Sequence, residues 1–439
     1  RRSEAMVAWI SSWITDLYIV SITDFLLIWM CMTWLNGAAS ANFQESRLRT
    51  EACLLRSLIS HVANGIRQKD TVMHLQNDIH MDNIGNIAAN FRLDGNVTGL
   101  SPLGNGLIND TYRVTTDTGN VYVLQRINNA IFKDVELLQH NIECVTSHIR
   151  ARLQAEGEND IDRKVLEFLP LKDSQKTFWT DGETYWRVSA FIKDSVTIET
   201  VNPEYSYHAG KAFGNFQAML ADIPDELGET IPDFHNMELR ARQLREAVEA
   251  DPVGRMASDE VRTILAEMEN HMEEMCLAQR LHREGILPKR ICHCDTKVSN
   301  MLFDTEGKVL CVIDLDTVMP SFVFSDFGDF LRTAANPVPE DSPETDRVDF
   351  DMDIFRSFTK GYLESASVFL TPAERDNLPY SAALFPFMQA VRFFADYING
   401  DTYYKTAYPE HNLVRTRNQM ALFRSVMAHM DEMKAFCAL

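Results

Sequence analysis

Apolar residues in this chain change their spacing once, near residue 192, and that change limits the folds open to it. Before it, in "GLSPLGNGLINDTYRVTTDTGNVYVLQRIN" (99–128) and "KTFWTDGETYWRVSAFI" (176–192), apolar and polar residues alternate around Gly-containing turns. Alternation at period two marks a strand with one buried face, so several antiparallel strands are expected. Val121 to Ile127 is one of them, and Asp181-Gly182 reads as a hairpin turn. Between the two stretches, "DVELLQHNIECVTSHIRARLQ" sets Val135, Leu138, Ile142, Val145 and Ile149 at helical spacing. Beyond residue 192 helical spacing dominates, in "YHAGKAFGNFQAMLADI", in "DEVRTILAEMENHMEEMCLAQRLHREG" and after Pro372. The expected fold class is α+β in two lobes. A small antiparallel sheet with one helix occupies 83–192, and a larger, mainly helical lobe occupies 193–439.

The charge balance narrows the partners. The formal net charge is −21 and the basic residues are dispersed, which argues against nucleic acid, since a phosphate backbone needs clustered Lys and Arg. A small anionic ligand held by a few local cations remains compatible. Eight cysteines in 439 residues, without a repeated spacing, do not make a disulfide scaffold and suit a reducing cytoplasm. Residues 1–82 stand apart as an extension. The stretch "AMVAWISSWITDLYIVSITDFLLIWMCMTWLNGAASA" admits three readings: translated upstream sequence, a membrane segment over Tyr18 to Leu35, or a secretory signal ending near "AASA". A membrane partner is expected only if that segment is real.

The chemistry gathers in "ICHCDTKVSNMLFD" (291–304). A zinc knuckle on Cys292, His293 and Cys294 lacks paired ligand spacing, and a nucleophilic thiol lacks a marked base, so these cysteines read as core fillers. Phosphoryl transfer explains more. His293-x-Asp295-x-x-x-x-Asn300 has the order and spacing of a catalytic loop that orients an acceptor hydroxyl. "DTEGK" reads as a turn that folds Asn300–Phe303 against Val309–Ile313, which returns Asp314 to the side of Asn300. Lys297 adds a cation. Upstream, "LGNGLINDTYRV" places Gly104, Asn105 and Gly106 in a turn between strands whose N–H groups can approach phosphate.

This order of motifs resembles the aminoglycoside phosphotransferase and choline kinase superfamily, relatives of the protein kinases. "HCDTKVSNMLFD", "VLCVIDLDTVMP", "GNGLINDTY" and "RFFADYINGDTYYKTAYPEHNLVRTRNQ" are similar to the N-acetylhexosamine 1-kinases, over about residues 83 to 430. The resemblance implies a protein-kinase-like fold that uses ATP and Mg²⁺ on a small-molecule sugar. It makes Asp295 the base or orienting carboxylate for the anomeric hydroxyl, with Lys297 beside the transferring group. Asn300 and Asp314 would hold Mg²⁺, with Asp316 a further contributor, and Arg392 and Tyr403 would contact the sugar. Gly104, Asn105, Gly106 and Phe191 fall to the nucleotide. Asp326 and Asp329 of "SDFGD" are expected to be structural.

Two positions depart from the pattern. The strand that should offer a lysine to the phosphates reads "VLQRIN", so Gln125 or Arg126 must stand in, with Glu136 or Glu143 as the helix carboxylate. Leu107 stands where the sugar kinases often have histidine. The expected activity is phosphorylation of the C1 hydroxyl of N-acetylglucosamine or N-acetylgalactosamine. The alternatives are a kinase for an aminoglycoside or amino alcohol, and a non-catalytic nucleotide or sugar sensor.

Overall fold

The computed structural model describes residues 83–104, 108–198 and 201–438. The readings of residues 1–82, and those of Asn105 and Gly106, lie outside the described residues. Five antiparallel strands form the first lobe in the order β1-β2-β3-β5-β4: β1 (Val97–Pro102), β2 (Asp110–Thr116), β3 (Val121–Ile127), β4 (Phe178–Thr180) and β5 (Tyr185–Ala190). Between β4 and β5 the chain turns at Gly182, whose φ of +97° favours glycine, while Asp181 Oδ1 accepts from Glu183 N–H at 3.0 Å and Thr184 N–H at 2.7 Å. Helix α1 (Val135–Ala155) starts at Asp134, whose Oδ1 accepts from Leu137 N–H at 2.9 Å. Its apolar face packs Leu138, Ile142, Val145 and Ile149 with Ile127 and Phe178 of the sheet. The same cluster runs on to Phe216, Leu315 and Val318 of the second lobe. The period read from the sequence thus becomes the face that joins the lobes.

Past β5 the chain crosses over at Val196, which exchanges two backbone hydrogen bonds of 2.9 Å with Phe303. The second lobe then contains α2 (Pro203–Leu220), α3 (Met237–Ala250), α4 (Asp259–Met275), α5 (Leu277–Arg283), β6 (Arg290–Cys292), β7 (Met301–Phe303), β8 (Val309–Val312) and β9 (Met319–Ser321). After them come α6 (Phe324–Ala334), α7 (Met352–Ala366), α8 (Pro372–Asp376), α9 (Leu378–Ile398), α10 (His411–Ala428) and α11 (Met430–Cys437). The strands form two antiparallel pairs, β6 with β9 and β7 with β8. The second is the hairpin expected around "DTEGK", with Met301 opposite Val312. Among the described residues no helix is long and apolar enough to cross a membrane.

Helices α2 and α7 touch backbone to backbone because glycines line the crossing. A Cβ on Gly361 would stand 2.1 Å from Tyr207 O, and one on Gly210 would stand 2.1 Å from Phe358 O. Around this crossing Phe327, Phe330, Phe355 and Phe358 are fully buried, with the Phe330 and Phe358 rings stacked at 4.1 Å. A carbonyl fixed in a helix cannot step aside for a methyl group. Gly361→Ala is therefore expected to destabilise the protein by about 1–3 kcal/mol, the usual cost of overpacking. Gly85→Ala, with nothing within 4 Å of the new Cβ, is the control that leaves the thermal unfolding midpoint nearly unchanged.

Candidate active site

The loop that follows β6 owes its shape to one carboxylate behind it. Asp326, on α6 and fully buried, accepts from His293 N–H at 3.0 Å and Cys294 N–H at 2.8 Å, and from Gln217 Nε2 at 2.8 Å. Thr296 Oγ1 donates to the Asp326 carbonyl at 2.7 Å, and Thr317 Oγ1 to the His293 carbonyl at 2.7 Å. These contacts hold Cys294 at φ +63°, a left-handed conformation that a residue with a side chain rarely adopts. His293 lies between Phe213 and Phe216, its Nε2 hydrogen-bonded to Ile313 O at 2.9 Å. It packs the hairpin against α2. Burial pushes the Cys311 thiol up to about 12 and the Cys292 and Cys294 thiols well above their ordinary value, so these cysteines are packing groups rather than nucleophiles.

On the open side of the loop, Asp295 Oδ2 meets Lys297 Nζ at 2.9 Å and accepts from Asn300 Nδ2 at 3.0 Å. Burial opposes its charge, but Lys297 outweighs it and holds the carboxyl below the usual range. The β7–β8 hairpin closes with Ile313 N–H donating to Asn300 O at 2.9 Å, which sets Asp314 beside Asn300. Asp314 is itself left-handed, at φ +62°. Its carboxylate opens into the cleft, where solvent reaches it, yet protein encloses it on most sides. That enclosure, with Asp316 and Asp295 nearby, pushes it up to about 7.

These residues suit a divalent cation. Asp314 has no hydrogen-bond donor among the described residues, and the Asn300 amide nitrogen faces Asp295, which leaves its oxygen for a cation. Oxygen donors of this kind fit a hard ion such as Mg²⁺. No group of three His, Cys, Asp or Glu side chains converges on one metal position among the described residues. The site would therefore rest on Asp314, the Asn300 amide and non-protein oxygens. Asp316 is engaged elsewhere.

What engages it is a cation that the sequence reading missed. Arg187, on β5 and 2% exposed, places Nη2 at 2.5 Å from Asp316 Oδ1. Its Nε donates to Gln125 Oε1 at 3.0 Å and its Nη1 to Gln139 Oε1 at 3.3 Å. Arg126 points away from this group, 48% exposed, with Asp110 at 3.6 Å. Gln125 thus faces inward but carries no charge, and the cation has moved one strand over. The helix carboxylate is displaced as well. Glu136 pairs with exposed Lys176 and Glu143 accepts from Thr177, while neutral Gln139 takes the position facing the cation.

Beside Asp295 a pocket is lined by His235, Asp329, Arg332, Gln389 and Arg392. Arg392 donates to Gln389 Oε1 at 3.0 Å, and its guanidinium stands 5.6 Å from the Phe234 ring and 5.7 Å from that of Tyr404. Asp329 is paired with Arg332 at 3.2 Å. The structure brings Arg392 and Asp295 to one pocket and leaves Tyr403 outside it, 72% exposed. The ring beside Arg392 is that of Tyr404, its neighbour. Gly104 has the left-handed φ of +71° expected of a tight turn. Phe191 follows β5, its ring 5.4 Å from the Arg113 guanidinium.

Comparison with known proteins gives the family and the fold. The APH family, described as the phosphotransferase enzyme family, matches residues 99–356. An aminoglycoside phosphotransferase from Alicyclobacillus acidocaldarius superposes with a TM-score of 0.52 at 14% identity, over 79% of this chain and 96% of its own, a likeness of fold. A Plasmodium vivax ethanolamine kinase (TM-score 0.47, 14% identity, 75% of this chain and 84% of its own) is also similar. So is a choline/ethanolamine kinase family protein from Mesorhizobium loti (0.46, 15%, 77% and 92%).

The dependence of the loop on Asp326 is open to test. Asp326→Asn turns one acceptor oxygen into an NH₂ group facing N–H donors. It is expected to cost about 1–3 kcal/mol in thermal or denaturant unfolding, the usual penalty for unsatisfied buried polar groups.

Proposed function

The chain belongs to the phosphotransferase enzyme family, and from that premise we propose that it transfers the terminal phosphoryl group of ATP to the C1 hydroxyl of an N-acetylhexosamine. The observation that carries the reading is the shared pocket of Asp295 and Arg392. A carboxylate held ionised by Lys297 can receive a hydroxyl proton, and a guanidinium a short way off can hold a sugar substituent. The charges of this pocket favour a neutral acceptor. Asp295 is offset by Lys297 and Asp329 by Arg332, while Arg392 meets no carboxylate among the described residues. An ammonium group on an amino alcohol or aminoglycoside would find no free anion there. Sequence similarity in the carboxy-terminal segment supports the hexosamine.

In this mechanism Asp295 orients the anomeric hydroxyl and takes its proton late, as the O1–P bond forms and the bond to the ADP oxygen breaks. An anomeric hydroxyl is more acidic than an ordinary alcohol, so a carboxylate is a sufficient base. Lys297 offsets charge at the loop. Asn300 and Asp314 would hold Mg²⁺, which when bound neutralises the phosphates. The Gly104 turn and Phe191 fall on the nucleotide side, and a supply of ATP places the reaction in the cytoplasm.

Phosphorus NMR of the product with a panel of hexosamines, ethanolamine and aminoglycosides tests the reading. An anomeric phosphate doublet is expected, and product from the amines alone would overturn it. Asp295→Asn is expected to lower kcat by roughly 10²–10⁴, the range of a positioned general base. Arg392→Ala is expected to raise the acceptor KM by roughly tenfold or more, as for a lost charged hydrogen bond, with the KM for ATP unchanged.

A further inference from the structure

Two side chains of the first lobe, Arg187 and Asn109, reach one carboxylate of the second. Arg187 of β5 brings Nη2 to Asp316 Oδ1 at 2.5 Å, and is itself held by Gln125 of β3 and Gln139 of α1. Asn109, just beyond the glycine turn, donates from Nδ2 to Asp316 Oδ2 at 2.7 Å, while its Oδ1 accepts from Asn128 N–H at 2.9 Å at the end of β3. Thr230 Oγ1 fixes the backbone of Asp316 from the other side, donating to its carbonyl at 3.0 Å. The pair is sealed, with side chains 2% and 4% exposed. Oδ2 thus accepts from Asn109, while Oδ1 has no hydrogen-bond partner among the described residues and faces the Arg187 guanidinium as an ion pair.

From these contacts we infer that Arg187 and Asp316 form the tie that sets how the sheet of the first lobe sits against Asp314 of the second. Arg187 is a positioning residue that replaces the absent β3 lysine, and Asp316 is its anchor rather than a metal ligand. The physical reason lies in the geometry of the guanidinium. Its planar fork binds β3, α1 and Asp316 at once, which the point charge of a lysine cannot do. A cation so enclosed does not reach the phosphates. It acts through the strands and through Asn109, so the distance between the β2–β3 edge and Asp314 depends on it.

The role in turnover rests on the kinase reading, whereas the tie itself does not, and two measurements keep them apart. The first is hydrogen–deuterium exchange on the nucleotide-free protein. Arg187→Met and Asp316→Asn are expected to speed exchange in residues 108–116 and 314–318 while leaving α7 and α9 as protected as in the unsubstituted protein. The second is steady-state kinetics with ATP. Both variants are expected to raise the KM for ATP by roughly tenfold to a hundredfold, the scale of a misplaced binding group. The double variant is expected to be no worse than the worse single, and Arg187→Lys, which keeps the charge and loses the fork, to lie between. If Arg187→Met does not fold, Arg187→Lys and Asp316→Asn carry both measurements.

Unchanged exchange in 108–116 would overturn the tie. So would additive effects of the two substitutions, or a roughly tenfold rise in the Mg²⁺ midpoint for Asp316→Asn that Arg187→Lys does not share, since that marks a metal ligand. If the unsubstituted protein turns over no acceptor while the exchange result holds, the kinase reading falls and the tie stands.

Discussion

The candidate site depends first on a carboxylate that touches no reactant. Asp326 sits at the first turn of α6 and receives two backbone N–H groups of the loop that it never joins. An unpaired N–H in that position would be costly, and so would an unpaired buried carboxylate; each removes the other's penalty. Burial pushes the Asp326 carboxyl up to about 6, with the charge of His293 and the loop N–H groups pulling it back. The left-handed backbone at Cys294 follows from the same contacts, and so does the direction in which Asp295 leaves the loop. Strain is thus kept at the turn where the side chains must diverge, and the phenylalanine core around Phe213 and Phe330 holds it there.

A second layer of organisation is electrostatic and spans the cleft. Three carboxylates, Asp295, Asp314 and Asp316, crowd the wall of the second lobe, and each is treated differently. Asp295 has a lysine two residues away, and Asp316 has an arginine from the opposite lobe. Asp314 has neither, which leaves it the carboxylate on which a cation would be most stabilising. The distinction comes from tertiary placement. Asp314 and Asp316 are two residues apart, and the short helical turn over Leu315–Thr317 leaves one exposed and buries the other against Arg187 of β5.

The strands, the helix α1 and the β7–β8 hairpin were legible because each is written locally. Alternation around Gly-containing turns, apolar spacing from Val135 to Ile149, and an Asp-Thr-Glu-Gly-Lys turn are decided within a few residues. The position of the buried cation was not. Residues Gln125 and Arg126 offered an arginine on the expected strand, and only the folded structure shows that Arg126 is half-exposed beside Asp110 while Gln125 faces Arg187. The signal that would have found Arg187 was present in "TYWRVSAF": a charge in the middle of a strand whose neighbours are apolar or small on both sides. Such a charge is rarely buried without a partner. Its partner, Asp316, lies far along the chain, and no local pattern joins them. Tyr403 and Tyr404 illustrate the same limit at smaller scale. Asp396 accepts the N–H groups of both residues, and the turn it makes decides which ring goes inward.

The overall charge of −21 is a poor guide to the charges in the pocket beside Asp295, and the buried groups show why. The His235 imidazole is driven well below its usual range first by burial and then by the neighbouring Arg392, Arg240 and Arg332. Burial and the neighbouring Arg392 bring the Arg240 guanidinium down to about 10. Surface carboxylates contribute little here, because solvent screens them over about a Debye length of 10 Å at ordinary salt, while in the pocket Arg332 is paired with Asp329 and Arg392 meets no carboxylate among the described residues. A cationic acceptor would have to enter beside the Arg392 charge and displace it from the faces of Phe234 and Tyr404, gaining no unpaired carboxylate in return. A neutral polyhydroxylated acceptor pays no such penalty, and its carbonyl or hydroxyl oxygens are the groups that a guanidinium without a carboxylate partner can hold.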